Sequence, residues 1–235
     1  MRYAIGYVVL FMVLVSNRAE ADIYRSYDPS FARDYALDNH NTAYGGATGN
    51  PFYNYDYLAG GNCTNFASQV LMAGLYRSTS MSTVFGARYE FDIDAGGGAY
   101  QWYWHSDADR GPAFQGAAKL YEYAVHNQSS YKGLHFAYVT HDTTTTFMDY
   151  NAVQVGDIVF ADWQHDGIVD HSMIVTEKTG FPFDSGYNKI HVTFQGTGTS
   201  VVGVKNAKLG EINERYNYQA VFYVYRPLNY NPSGN

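Results

Sequence analysis

The chain of 235 residues contains one cysteine, Cys63. A lone cysteine cannot close an intramolecular disulfide, which excludes a scaffold held together by internal disulfides. It can be a buried apolar residue, an intermolecular crosslink or a free reactive thiol. Cys63 follows Gly60, Gly61 and Asn62 and begins a helical pattern. This position favours the reactive thiol, because the positive end of a helix dipole lowers the pKa of a thiol.

Basic residues are also few. The chain has 15 Lys and Arg against 22 Asp and Glu, a formal net charge of −7 at pH 7. Nucleic-acid binding depends on Lys and Arg that neutralise phosphates, so we expect no nucleic-acid partner. By contrast, the sequence is rich in tyrosine, with 24 residues. Tyrosine joins an apolar ring to a polar tip, and this composition fits either an extended binding surface or structural filler in a loop-rich extracellular protein.

Long apolar runs are absent except at the N-terminus, where residues 3–15 follow Arg2. This run is shorter than the ~20 residues that a membrane-spanning helix needs. With the small residues Ala19 and Ala21 it has the form of an export signal. We therefore expect a signal peptide over residues 1–21, a single domain over residues 22–235, a secreted or periplasmic location and no stable membrane span after cleavage. An uncleaved N-terminal anchor is the alternative.

Several catalytic motifs are missing. The chain has no HExxH pattern, no pair of closely spaced cysteines, no Gly-x-Ser-x-Gly and no phosphate-binding loop. One predicted hairpin is crowded with possible metal ligands: Asp162, His165, Asp166, Asp170 and His171. A charged turn that carries one catalytic histidine explains this crowding more simply than a metal site does. We expect neither a metal nor a cofactor.

Helical patterns fill the first half of the chain and β patterns the second. Asp28 followed by Pro29 predicts a capped helix start. Further helices are predicted over residues 63–75 and 113–126, strands over 134–140, 155–162, 171–177, 189–194 and 218–225, an irregular segment over 77–111 and a loose tail over 229–235. This segregation predicts an α+β fold with N-terminal helices packed on an antiparallel β-sheet.

A nucleophilic thiol needs a neighbouring base and a group that orients the base. His171 begins the return strand of a predicted hairpin, so its side chain is expected at a sheet edge, where the Cys63 helix is the natural neighbour. Gln195 lies near the end of the next strand, from which its amide can hold the imidazole ring. An ordinary strand-end polar residue is the alternative for Gln195. Asp162 and Asp170 are then the next candidates for the orienting group.

Three blocks of the sequence resemble a known family. They are residues 61–69 (GNCTNFASQ), 156–160 (GDIVF) and 170–175 (DHSMIV). With weaker likeness over residues 27–36 and around residues 102–104, they resemble the putative amidase domain family. That family is similar in layout to the papain-like NlpC-type cell-wall peptidases. It commonly has Asp before the cysteine, where this chain has Asn62.

The resemblance implies a papain-like α+β fold with Cys63 as the nucleophile and His171 as the base. Gln195 is the best positional match for the third member of the site. Backbone N–H groups at Cys63 and its neighbours are expected to bind the oxyanion. Thr64 and Asn65 are expected to support the helix start.

Asn62 belongs to the same oxyanion and support group, and Tyr55 or Tyr57 is a further candidate donor. The sequence thus predicts a secreted cysteine-dependent amidase or peptidase that cleaves an amide bond through a thioester. Its expected substrate is a peptide or other amide, with peptidoglycan as one candidate. Two alternatives remain: a non-catalytic secreted module that binds a glycan or peptide, and an acyl-transferring relative.

Overall fold

The computed structural model describes residues 24–42, 50–52, 62–91, 101–106, 108–127, 133–142, 148–180, 186–196, 203–217 and 219–231. The predicted signal peptide, residues 1–21, lies outside these residues, as do Tyr55 and Tyr57. Among the helices within these ranges, none combines the length and the apolar character that crossing a bilayer requires.

The described residues form six α-helices and nine β-strands. The helices are α1 (Pro29–Asn39), α2 (Cys63–Tyr76), α3 (Met81–Gly86), α4 (Pro112–Gln115), α5 (Ala117–His126) and α6 (Leu209–Arg215). The strands are β1 (Arg25–Ser26), β2 (Trp104–Ser106), β3 (Asp109–Arg110), β4 (Gly133–His141), β5 (Ile158–Asp162), β6 (His171–Lys178), β7 (Ile190–Gln195), β8 (Gly203–Lys208) and β9 (Val221–Asn231). Two short 3-10 helices cover Ala87–Phe91 and Gly186–Lys189.

Seven strands form one antiparallel sheet, and β2 and β3 form a separate hairpin. Strand β9 pairs with β4 along one edge and with both β5 and β1 along its other edge. From β5 the sheet continues through β6 and β7 to β8. The predicted α+β class, with helices ahead of an antiparallel sheet, is confirmed.

The two faces of the sheet bury different cores. On one face, Ile158, Phe160 and Ile174 pack with residues of α1, α2, α4 and α5. On the other face, Val159 and Met173 pack in a second cluster that includes residues of α6. Because successive side chains of a strand point to opposite faces, β5 and β6 contribute alternate residues to each cluster.

Helix α2 is buried along almost its whole length, more than the other described helices. Residues 63–75 are all buried, whereas an amphipathic helix would bury only one face. The wider burial arises because α1, α4 and β6 all pack against this helix. A helix enclosed on every side is usually apolar all round, so the polar residues of α2 need partners inside the protein.

Two predictions between residues 77 and 126 were wrong in detail. The expected helix over residues 113–126 is two helices, because Gly116 adopts an extended conformation between α4 and α5. The segment 77–111, which was expected to be irregular, contains α3, a 3-10 helix and the β2–β3 hairpin. Helix α3 begins after Ser80, whose side chain accepts a hydrogen bond from the Thr83 N–H.

The C-terminal prediction also needs correction. Strand β8 and helix α6 were not predicted, and β9 runs to Asn231, so part of the expected loose tail belongs to the sheet. Pro227 sits inside β9, opposite Phe136, next to a register shift between Leu134 and Phe136. Such an irregularity tolerates a proline, because the missing N–H interrupts a ladder that is already broken.

Gly156 and Asp157 join the start of α1 to the sheet. Gly156 has φ of +88°, and a Cβ atom added there would lie 2.4 Å from Cβ of Pro29. Its carbonyl oxygen accepts a hydrogen bond from the Tyr27 hydroxyl at 3.0 Å. Asp157 is buried and accepts two hydrogen bonds from Arg226 of β9 at 2.8 and 2.9 Å. Burial raises the pKa of Asp157, while the Arg226 guanidinium opposes that rise.

We expect Gly156→Ala to destabilise the protein more than Gly167→Ala. Both glycines have a positive φ, of +88° and +86°, but a Cβ at Gly167 would meet nothing within 4 Å. Gly167→Ala should therefore cost only the left-handed backbone, about 1–2 kcal/mol. Gly156→Ala should cost about 1–3 kcal/mol more, from overpacking against Pro29. Urea unfolding followed by circular dichroism measures both, and equal losses would contradict the close approach.

Candidate active site

Cys63 is the first residue of α2 and is fully buried. Its Sγ lies 3.6 Å from Oγ1 of Thr64, and the backbone N–H of Ser172 donates a hydrogen bond to the sulfur. Thr64 Oγ1 in turn lies 3.2 Å from Oγ of Ser172. The start of α2 is thus attached directly to the start of β6.

His171, the first residue of β6, is buried beside Cys63. Its side chain is hydrogen-bonded to the thiol. Within the described residues Nε2 of the ring is buried and has no hydrogen-bond partner, so by elimination Nδ1 is assigned to the bond with the sulfur. The structure therefore brings together the two residues that the sequence singled out as nucleophile and base.

Burial and electrostatics act in opposite directions on the Cys63 thiol. Burial alone raises its pKa, because a thiolate loses hydration inside the protein. The positive charge of His171, its hydrogen bond and the donors at Thr64 and Ser172 lower the pKa. The net result is a pKa of about 7, below the ordinary value of 9.0. A substantial fraction of thiolate is therefore available near neutral pH.

Two aromatic rings flank the imidazole of His171. The ring centroids of Trp163 and Phe194 lie 5.5 Å and 4.7 Å from that of His171. Phe194 meets the imidazole edge-on, at an interplanar angle of 89°. Neither ring was predicted as part of the site. Strand alternation could have predicted Trp163: it lies two residues beyond Ala161, which pairs with His171, and residues two apart share a face of the sheet.

Gln195 is fully buried at the end of β7. The pairing of Ile174 with Thr193 extends to place Gln195 across from Ser172, on the face of the sheet that carries the helices. Its Nε2 donates a hydrogen bond to the Asn39 carbonyl oxygen at 3.5 Å. Nε2 of His171 has no hydrogen-bond partner among the described residues, so Gln195 does not hold the ring at that nitrogen. An orienting role for Gln195 stays a prediction.

The two aspartates considered as replacements for Gln195 shape the hairpin. Asp162 accepts hydrogen bonds from the backbone N–H groups of Asp166 and Gly167, at 3.2 and 2.8 Å. Asp170 accepts one from the Trp163 N–H at 3.0 Å. In the part of the chain that the structure describes, no group of three or more His, Cys, Asp or Glu residues could hold a metal ion.

A chain of buried side-chain hydrogen bonds runs along α2 from the active-site end. Nδ2 of Asn65 donates to Oδ1 of Asn62 at 3.4 Å, and Nε2 of Gln69 donates to Oδ1 of Asn65 at 3.1 Å. Oε1 of Gln69 accepts from the Tyr35 hydroxyl at 3.0 Å and from Nδ2 of Asn50 at 2.9 Å. The predicted support residues Asn62 and Asn65 therefore connect the nucleophile to α1. The spacing of positions 62, 65 and 69 on one helix face was the available signal.

Ser68 anchors the opposite side of α2. Its hydroxyl donates to the Phe114 carbonyl oxygen at 3.0 Å and accepts from the Trp102 indole N–H at 3.0 Å. Thr64 contacts β6, and Asn65 and Gln69 are bonded to each other along the helix. Each polar side chain of α2 between residues 64 and 69 therefore has a hydrogen-bond partner. The GNCTNFASQ block thus holds the buried helix in place as well as supplying the thiol.

We expect thiolate formation at Cys63 to have its midpoint near pH 7 and to depend on His171. His171→Ala removes the main effect that opposes burial of the thiolate, so the pKa of Cys63 should rise toward or above its ordinary 9.0. Ultraviolet absorbance of the thiolate measures this, with Cys63→Ser as the reference for tyrosine absorbance. His165→Ala, an exposed position on the same hairpin, should keep the wild-type midpoint. An unchanged midpoint in His171→Ala would contradict the effect of His171 on the thiol.

Comparison with known proteins gives a family but no close relative. No curated protein and no solved structure matches the chain. A family model described as "Putative amidase domain" matches residues 26–211. The matched region contains Cys63, His171 and Gln195 and covers most of the 235 residues. The chain therefore belongs to the putative amidase domain family, whose description supports an amide hydrolase.

Proposed function

We propose that this protein is a secreted cysteine-dependent amidase or peptidase. The observation that carries the proposal is the contact between Cys63 and His171, which holds the pKa of a buried thiol at about 7. Burial without the histidine would suppress the thiolate. A buried thiol whose pKa is instead lowered, at a helix N-terminus, is typical of a reactive site. A nucleophile paired with a base in this way is the arrangement that covalent acyl transfer needs.

The reaction follows from this pair. His171 takes the proton of Cys63, and the thiolate attacks the carbonyl carbon of the amide. His171 then gives the proton to the leaving amine as the carbon–nitrogen bond breaks, which leaves a thioester on Cys63. Water, deprotonated by His171, attacks the thioester carbonyl, and the products are a carboxylic acid and the free thiol.

The start of α2 is suited to hold the oxyanion of this reaction. Its backbone N–H groups and the positive end of the helix dipole favour negative charge at Cys63. Asn62, Thr64 and Asn65 support that geometry through the hydrogen bonds that tie the helix start to β6 and α1. These residues act by fixing the donors rather than by reacting.

The proposed substrate is a peptide or other amide, with cell-wall peptide as the first compound to test. This choice rests on the likeness in layout between the putative amidase domain family, which the blocks around Cys63 and His171 resemble, and the papain-like NlpC-type cell-wall peptidases. The proposed secreted or periplasmic location rests on the signal-like residues 1–21 and a single following domain over residues 22–235. An acidic chain with few lysines is consistent with a substrate other than nucleic acid.

Cys63→Ala should lower turnover by several orders of magnitude while the protein remains folded, because no other thiol is present. His171→Ala should be nearly as damaging, because it removes both the base and the charge that stabilises the thiolate. The matched control is His165→Ala on the same hairpin, which should be mild. Release of amine from a model amide measures all three, and a fully active Cys63→Ala enzyme would disprove the cysteine mechanism.

The same assay separates hydrolysis from its alternatives. Wild-type enzyme should release amine and carboxylic acid in equal amounts, should be inactivated by iodoacetamide and should tolerate EDTA. A new amide formed with an added amine would instead identify an acyl transferase. Binding of cell-wall fragments with no cleavage would favour a non-catalytic binding module. Loss of activity in EDTA that a divalent ion restores would indicate a metal enzyme.

A further inference from the structure

Among the residues that the structure describes, no group is hydrogen-bonded to Nε2 of the His171 imidazole. In triad enzymes a third residue bonds the outer ring nitrogen and fixes the ring direction. Here Nε2 is buried without a partner. Gln195 donates instead to Asn39 on the helix-facing side of the sheet. Asp162 and Asp170 accept hydrogen bonds from backbone groups of the hairpin.

Aromatic packing surrounds the ring instead. Trp163 lies on one side of His171 and Phe194 meets it edge-on, with centroid distances of 5.5 and 4.7 Å. Edge-to-face contacts at such distances are favoured by the charge distribution of aromatic rings. Trp163 follows directly after β5, and Phe194 lies in β7, so the two rings come from the two strands that flank β6.

Trp163 is itself held in place from several directions. Its indole stacks on Tyr216, which follows α6, at 4.1 Å and an interplanar angle of 4°. It also meets Phe222 of β9 edge-on, with centroids 6.1 Å apart. Its backbone N–H donates to Asp170. A side chain fixed at this many points can restrict the movement of a neighbouring ring.

We propose that Trp163 and Phe194 are positioning residues that hold His171 against Cys63 by packing, in place of a hydrogen-bonding third residue. The inference rests on the proposed function, in which His171 is the base. A ring that turned away from the sulfur would lose contact with both aromatic neighbours at once. No bond at Nε2 would resist that turn, so packing is what keeps the ring in place.

The test measures the Cys63–His171 pair directly, through the pH midpoint of thiolate absorbance. The absorbance of the same variant with Cys63→Ser added is subtracted from that of each variant, which removes the contribution of tyrosine. Phe194→Leu and Trp163→Leu should raise the midpoint by about one pH unit, a tenfold loss of thiolate below the midpoint. Trp163→Phe keeps a flat ring and should restore most of the wild-type midpoint. Turnover in each variant should fall in kcat, with the pH profile shifted in the same direction.

Two control variants separate positioning from loss of stability. Phe136→Leu makes the same change as Phe194→Leu in the other core cluster, and it should lower stability with no shift of the midpoint. Gln195→Ala should also leave the midpoint unchanged. If Gln195→Ala moves the midpoint and Phe194→Leu does not, the orienting residue is Gln195 and the proposal fails.

The proposal stays testable if one variant does not fold. Phe194 is only half-buried, so Phe194→Leu should fold even if Trp163→Leu does not, and Trp163→Phe gives a second reading. An unshifted midpoint in folded Phe194→Leu overturns the proposal. The titration needs no substrate, so a failure to find amide cleavage would overturn the proposed function and leave this result standing.

Discussion

The burial of α2 at the start of β6 is the constraint on which the rest of the structure depends. A helix enclosed on all sides must pair every polar side chain inside the protein. Asn65 and Gln69 meet this requirement through the chain that ends at Tyr35 of α1. Thr64 meets it through Ser172. The interactions that satisfy the buried helix are therefore the same ones that set the position of Cys63.

That burial also dictates the electrostatics of the site. Removing the Cys63 sulfur from water raises its pKa, and the neighbouring His171 reverses this effect. The acidity of the thiol therefore depends on a residue of a different element, β6. Gly156 and Asp157 have a comparable structural role, because they bond the residue segment just before α1, through Tyr27, and β9, through Arg226, to the start of β5.

Local sequence signals were enough to predict the N-cap of α1, the start of α2 and the β5–β6 hairpin, and with the family resemblance they predicted that Cys63 and His171 lie together. Features set by tertiary contacts were not predictable in this way. Gly116 breaks a pattern that reads as one helix, and β8 lacks a clear alternation of apolar residues. The sequence could not predict which face of the sheet carries the Gln195 side chain, because a shift of one residue in strand register moves a side chain to the opposite face. The aromatic neighbours of His171 depend on the same register.

The contact between Thr64 and Ser172 joins residues that are 108 positions apart. Contacts of this kind require a costly loop closure, so the surroundings of the sulfur exist only once β6 has joined the sheet. Until β6 has joined the sheet, Cys63 is an ordinary cysteine whose pKa is near 9.0. An unfolded chain therefore carries a mostly protonated, less reactive thiol at neutral pH. The chemical reactivity of Cys63 is in this way conditional on a finished fold.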